Sequence, residues 1–265
     1  GAALWDWQWI LKLEKWKAEM QTKLPEWFEI LQEFDAMVTL GTLHYNHEDW
    51  TIPNIDLEFT GLEGIELGHP LIAKEKRIAN DLIVPNSGHI KLITGSNMAG
   101  KSTYLRTVGL NIVLAMTGSP VCAKSLRLPI LVVNTSMRTQ DVLHESTSSF
   151  YAELKRLKII IDSVENGERI FFLLDEILKG TNSRDQHTGS RALIEQLIKS
   201  KGMGLIATHD LELGVLEAEA NGTIENLCID VVVEKARLVF DYTIKKGVSK
   251  SFNATYLMRE MGIRV

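Results

Sequence analysis

The 265-residue chain is poor in cysteine, with two, and in proline, with six. Cys122 and Cys228 lie far apart, and neither belongs to a CxxC or Cys/His cluster. That excludes a disulfide framework and a thiolate metal site, so both are expected as small buried hydrophobes in a reducing compartment. No apolar run approaches the ~20 residues a bilayer span needs; the longest are broken by Asn111, Gly118 and Pro120 or stop at Asp175. No secretory leader is visible, so a cytoplasmic location without membrane contact by this fragment is expected. Positive charge is also short: 29 basic against 34 acidic residues leave a formal −5, not the global field of a sequence-independent DNA binder. What remains is ordinary globular composition, 45% hydrophobic and 24% charged, in a chain long enough for one large domain with an appendage.

Gly1-Ala2-Ala3 runs straight into a Trp-rich helical pattern, which reads as a domain boundary and predicts further chain upstream. Trp5, Trp9, Leu13 and Trp16 recur at helical spacing, and after Pro25 so do Trp27, Phe28, Leu31, Phe34 and Val38. Two helices are therefore expected, their aromatic stripe packed against the rest of the domain. From Thr51 to Pro85, Pro and Gly punctuate short apolar pieces, which predicts loops and edge strands. The expected division is a helical segment over 1–60 and a larger domain over 61–265. In the latter, short apolar strands (Ile90–Thr94, Ile130–Asn134, Ile170–Leu174, Gly204–Thr208) alternate with helices near Lys101–Met116, Phe150–Val164 and Arg184–Ser200. Leu154, Leu157, Ile161 and Val164 mark the buried stripe of the second helix. This is how an α/β fold with a mostly parallel sheet, covered on both faces, reads in sequence. Leu227–Glu234 and Arg237–Thr243 read as a strand pair and Ala254–Met261 as a closing helix.

Gly95-Ser96-Asn97-Met98-Ala99-Gly100-Lys101-Ser102 fits GxxxxGK[ST] between a strand and a helix, the context a phosphate loop requires. Gly95 and Gly100 permit the tight turn in which backbone N–H groups converge on phosphate oxygens, and the helix N-terminus favours the same anion. Lys101 would reach the β- and γ-phosphates, and the Ser102 hydroxyl would ligate Mg²⁺. The wholly apolar run Ile170–Leu174 ends in Asp175-Glu176. Asp175 is the expected Mg²⁺ acceptor, while Glu176 can orient and deprotonate an attacking water. Gly204–Thr208 ends in His209, at the strand edge where a γ-phosphate sensor belongs.

With their surroundings, these stations resemble the ATPase domain of the MutS family of DNA mismatch-repair proteins, in the ABC-type ATPase superfamily. GSNMAGKST (Gly95–Thr103) is similar to the family's extended Walker A, LLDEILKGTNSRD (Leu173–Asp185) to its Walker B and following loop, and ATHD (Ala207–Asp210) to its histidine switch. Gly68-His69-Pro70, Asn80-Asp81 and the Ser-Phe-x-x-Glu pattern at Ser149–Glu153 also fit. The resemblance implies a P-loop NTPase fold, ATP and Mg²⁺ as cofactors, and a head-to-head homodimer with two composite sites. It implies that Ser148 approaches the partner copy's γ-phosphate and joins Lys101, Glu176 and His209 in catalysis, and that Thr181 and Asn182 lie at the seam. Ser251–Met261 resembles the first part of the family's C-terminal helix-turn-helix. Two departures stand out: Ser96 replaces a Pro, and Ser146-Thr147 replace a Gly-Arg pair, which bears on the contact across the dimer. The mismatch-reading, connector and clamp domains are absent from this chain, so DNA contact is expected through those domains. The basic runs Lys155-Arg156-Leu157-Lys158 and Lys245-Lys246 read as solvated faces.

Two other classes are weighed against this one. A transporter nucleotide-binding subunit or a coiled-coil DNA-repair ATPase would carry an LSGGQ-like signature, and a small-molecule kinase an Arg-rich lid; neither is present. A nucleotide-gated interaction module with negligible turnover would not need Lys101, Ser102, Asp175, Glu176 and His209 together. ATP follows from the resemblance, because phosphate-loop physics alone would accept GTP.

Overall fold

The computed structural model describes residues 4–96, 98–137, 149–234 and 237–249. Asn97, Ser146 to Ser148, the expected helix at Ala254–Met261 and the Ser251–Met261 helix-turn-helix piece lie outside the described residues. The chain divides into two compact units, Gly1–Glu48 and Asp49–Val265. The division falls ahead of the boundary expected near residue 60, because Thr51 bridges Val121 and the Asp56 N–H reaches Leu128 O at 2.9 Å.

The first unit is α1 (Trp5–Met20) and α2 (Lys23–Asn46), with Pro25 in the first turn of α2, where no intrahelical N–H is needed. Neither helix has a buried residue. The aromatic stripe expected as core is therefore exposed: Trp5, Trp9, Trp27 and Phe34 all stay about half exposed or more.

The second unit runs β1 (Asn54–Ile55), β2 (Leu62–Leu67), β3 (Asn80–Val84), β4 (Ile90–Thr94), α3 (Lys101–Met116), β5 (Ser125–Leu128) and β6 (Val132–Ser136). It continues with α4 (Ser149–Glu165), β7 (Ile170–Asp175), α5 (Ser183–Lys199), β8 (Gly204–Thr208), α6 (Leu216–Glu219), β9 (Ile224–Glu234) and β10 (Arg237–Lys246). The fold is α/β with two sheets. The six-stranded sheet has the order β10-β9-β4-β8-β7-β6, parallel from β9 to β6 and antiparallel between β9 and β10. A second sheet, order β1-β5-β2-β3, is mixed. The pieces expected as loops and edge strands over Thr51–Pro85 thus include three strands that join β5 in a sheet of their own, which corrects the expectation of one mostly parallel sheet. Glu66 adopts φ 51° and shifts the β2–β3 register between Gly64 and Leu67, a bulge that breaks the alternation by which a strand is recognised.

Both faces of the larger sheet are covered, so its strands read as unbroken apolar runs. Ile93, Phe171, Leu173 and Leu205 pack with Leu105, Val108 and Ile112 of α3 on one face. Leu92, Phe172, Leu174 and Ile206 pack with Leu157, Ile160 and Val164 of α4 and Ile194 and Leu197 of α5 on the other. Of the expected α4 stripe, Leu157 and Val164 are buried and Ile161 packs beside them, whereas Leu154 is exposed and Ile160 joins the core instead. Cys122 and Cys228 are buried, as small hydrophobes should be. Among the described residues no helix is long and apolar enough to cross a membrane.

Asn182 caps α5, its Oδ1 accepting from the Asp185 N–H at 3.0 Å. Asn182→Ala is expected to cost about 1 kcal/mol and to lower the thermal midpoint of the second unit by roughly 2–4 °C. A melting curve superimposable on the parent's would show the cap to be dispensable.

Candidate functional site

Parallel register brings the three sequence stations to one edge. Thr94 of β4 pairs with Thr208 of β8, and Ala207 of β8 pairs with Asp175 of β7. The three strands therefore end level, with β8 between the other two. Gly95, His209 and the Asp175-Glu176 pair emerge side by side at the carboxyl ends, where open α/β sheets take their ligands.

The loop after β4 is shaped by glycine. Gly100 sits at φ 100°, the left-handed region, and a β-carbon there would meet Tyr242 Cδ1 at 2.9 Å. A β-carbon on Gly95 would meet Ile229 O at 2.7 Å. Within the turn the Ala99 N–H donates to Ser96 O at 3.1 Å, and α3 starts at Lys101 with its N-terminus facing the loop. Ala99 is buried, Met98 and Thr103 are exposed, and Ser102 is half-buried. Lys101 is buried; its Nζ donates to Gly95 O at 2.7 Å and Ser96 O at 3.0 Å. Its pKa is lowered to about 8, by burial above all, against the opposing pull of Asp175 and with a smaller push from Lys179.

Beside the loop opens a cavity of about 440 Å³ whose lining includes His69, Ile78, Met98, Tyr104 and Tyr242. Tyr242 is held there at φ 52° in a bulge of β10. Asn80 of β3 fixes the bulge, donating through Nδ2 to Tyr242 O at 3.0 Å and accepting from the Ile244 N–H at 2.7 Å. The sequence contained Asn80 within a motif but gave no sign of Tyr242.

Asp175 Oδ1 is buried and accepts no hydrogen bond among the described residues. A buried carboxylate oxygen with an open lone pair suits a hard, oxygen-seeking divalent cation, and the Ser102 hydroxyl at the start of α3 is the same class of donor. These two residues fit Mg²⁺. Glu176 is nearly buried between two lysines and an imidazole: Lys101 Nζ and His209 Nδ1 stand 3.8 and 3.9 Å from its Oε1, and Lys179 pairs with its Oε2. Burial, then the charges of Lys101 and Lys179, lower the His209 pKa and favour a neutral imidazole. Asp210 accepts from the Glu212 N–H and contacts His187 Nδ1 at 2.6 Å, tying the segment after His209 to α5.

Three further side chains brace the turn after β7. Glu176 and Leu178 both have left-handed φ, 52° and 59°. Glu153 Oε1 of α4 accepts from the Leu178 N–H at 2.6 Å, and Gln186 Nε2 of α5 donates to Ile177 O at 3.0 Å. Lys179 completes the set through Glu176. Of these, Glu153 lay within the Ser-Phe-x-x-Glu pattern and Lys179 within LLDEILKGTNSRD; Gln186 had no sequence signal. Thr181 is half-buried and Asn182 exposed.

Residues 91–259 match the family model for MutS domain V. The DNA mismatch repair protein MutS of Thermotoga neapolitana is 32% identical over 258 residues, covering 95% of this chain and 31% of that protein. The protein of the same name from Persephonella marina is 31% identical over 234 residues, covering 87% of this chain and 26% of its own length. The human MutS protein homolog 4 is 32% identical over 208 residues, 74% of this chain and 22% of that protein. The chain thus spans less than a third of each of these relatives. Because the matched segment begins in β4 and contains the phosphate-type loop, both carboxylates and His209, the chain belongs to the MutS family, of which it carries domain V.

Proposed function

We propose that this chain binds and hydrolyses ATP with Mg²⁺, as the dimerising motor domain of a MutS-like DNA mismatch-repair or DNA-processing protein, on a P-loop NTPase scaffold of the ABC type. The observation that carries the reading is the level ending of β4, β8 and β7, which groups Lys101, His209 and Asp175-Glu176 at one edge. Backbone N–H groups of the 95–103 loop and the N-terminus of α3 receive the phosphates. Lys101 exchanges its two loop carbonyls for phosphate oxygens, and the base enters the cavity beside Tyr242. Mg²⁺, held by Ser102 and Asp175, would offset the charge of the phosphates. Glu176 takes a proton from water as the water oxygen bonds to the γ-phosphorus; the bond from that phosphorus to the bridging oxygen breaks, leaving ADP and inorganic phosphate. Neutral His209 hydrogen-bonds the γ-phosphate or the attacking water and loses that contact with the product.

In the dimer, Ser148 of each copy reaches the nucleotide held by the other, with Thr181 and Asn182 at the seam; DNA is engaged by domains beyond this chain. The second reading is a nucleotide-gated interaction module with negligible turnover. The Lys179–Glu176 ion pair favours it, because it occupies the base. Mg²⁺-dependent ATP turnover measured against protein concentration separates the two. Turnover rising faster than linearly supports the composite-site ATPase, while tight binding without turnover at any concentration supports the module.

A further inference from the structure

Two residues of the Ser-Phe-x-x-Glu pattern that opens α4, Phe150 and Glu153, press on the turn that carries Glu176. Phe150 and Glu153 are three apart and share one helix face. A β-carbon on Gly180 would meet Phe150 Cβ at 2.6 Å, so the ring packs against bare backbone. One helical turn on, Glu153 accepts from the Leu178 N–H at 2.6 Å.

That turn needs an external hold. Glu176 and Leu178 both occupy the left-handed region, which a β-carbon disfavours and which persists only where surroundings over-determine it. Among the described residues, three hydrogen bonds supply that hold: the Glu176 N–H on Ala207 O, the Ile177 carbonyl on Gln186 and the Leu178 N–H on Glu153. Of these three, the last acts on the Leu178 backbone itself, through a side-chain oxygen that reaches across from α4. Glu153 is also within electrostatic reach of Lys179, the cation paired with Glu176.

We propose that Glu153 is a positioning residue for hydrolysis: by fixing Leu178 in its left-handed conformation it sets where the Glu176 carboxylate stands relative to the γ-phosphate. The proposal rests on the hydrolytic reading above. Glu153 touches no substrate, and its effect passes through backbone geometry, where a displacement of about 1 Å can cost a hundredfold in rate.

The test compares the full chain with Glu153→Gln and Glu153→Asp, two variants that separate reach from charge. Gln keeps the length and an amide oxygen that can accept from Leu178; Asp keeps the charge but is one methylene too short. Steady-state ATP turnover, binding of a fluorescent ATP analogue and hydrogen exchange of the Leu178 amide are the readouts. Expected for Glu153→Asp is a kcat lower by roughly ten- to a hundredfold, KM and analogue affinity within about twofold, and faster Leu178 exchange. Glu153→Gln should stay within about threefold of the parent in kcat. The reverse pattern, Asp normal and Gln impaired, would assign the effect to charge on Lys179 and overturn the positioning role. So would unchanged kcat in both variants, or kcat and affinity falling together with the melting temperature. A parent chain that binds the analogue but never turns over ATP would overturn the hydrolytic reading, and this assignment with it.

Discussion

Glu176→Gln is expected to cut ATP turnover by roughly 10²–10⁴-fold while leaving nucleotide at least as tightly bound. The two effects have separate physical origins. Turnover falls because an amide cannot take the proton of the attacking water. Binding holds because the substitution removes a negative charge that stands 3.8 Å from Lys101 and pairs with Lys179. Both cations then face the incoming phosphates without an internal competitor. The variant should therefore accumulate with ATP bound, and light scattering should show a nucleotide-stabilised dimer that the parent, which clears its ATP, populates less. Retention of more than a tenth of parental turnover would remove Glu176 from the role of base. A variant that no longer binds the nucleotide would instead mark Glu176 as structural, a support for the turn at φ 52°.

The parts of the site legible in sequence are those in which chemistry and backbone sit on one continuous segment. The Gly95–Ser102 loop carries its own turn glycines, cation and helix start, so a linear motif contains all of it. Asp175-Glu176 and His209 were readable because the strands before them are covered on both faces and therefore uniformly apolar; β4, β8 and α3 fall at their expected limits. Strand β6 lies two residues beyond its expected start, since Ile130 is exposed and the ladder with β7 begins at Val132. Tyr242 was illegible for a different reason. It reaches the loop through a bulge clamped by Asn80, 162 residues away, and no local period encodes such a contact. The mixed sheet was hidden by a two-residue β1 and a bulged β2. The Trp-rich helices show the opposite failure: strong periodicity promised a covered face, and periodicity does not say what covers it.

Nucleotide affinity should be nearly constant up to about pH 8 and fall above it, and Lys101→Met should lower affinity by roughly 10–100-fold and abolish that slope. Burial depresses the free-state pKa of Lys101 to about 8 from an ordinary 10.5. Bound phosphates favour the charged ammonium and raise the pKa of the complex. Between those two values binding takes up a proton, so affinity decreases with rising pH by at most about tenfold per unit. Below the free-state value Lys101 is charged in both states and its contribution is complete. Met fills a similar volume in a site only 3% exposed, so the fold should survive the substitution. Titrations with a fluorescent ATP analogue from pH 7 to 10 test the pair together. A Lys101→Met chain that keeps the parental slope would assign the titration to another group, and parental affinity in that variant would remove Lys101 from the phosphate site.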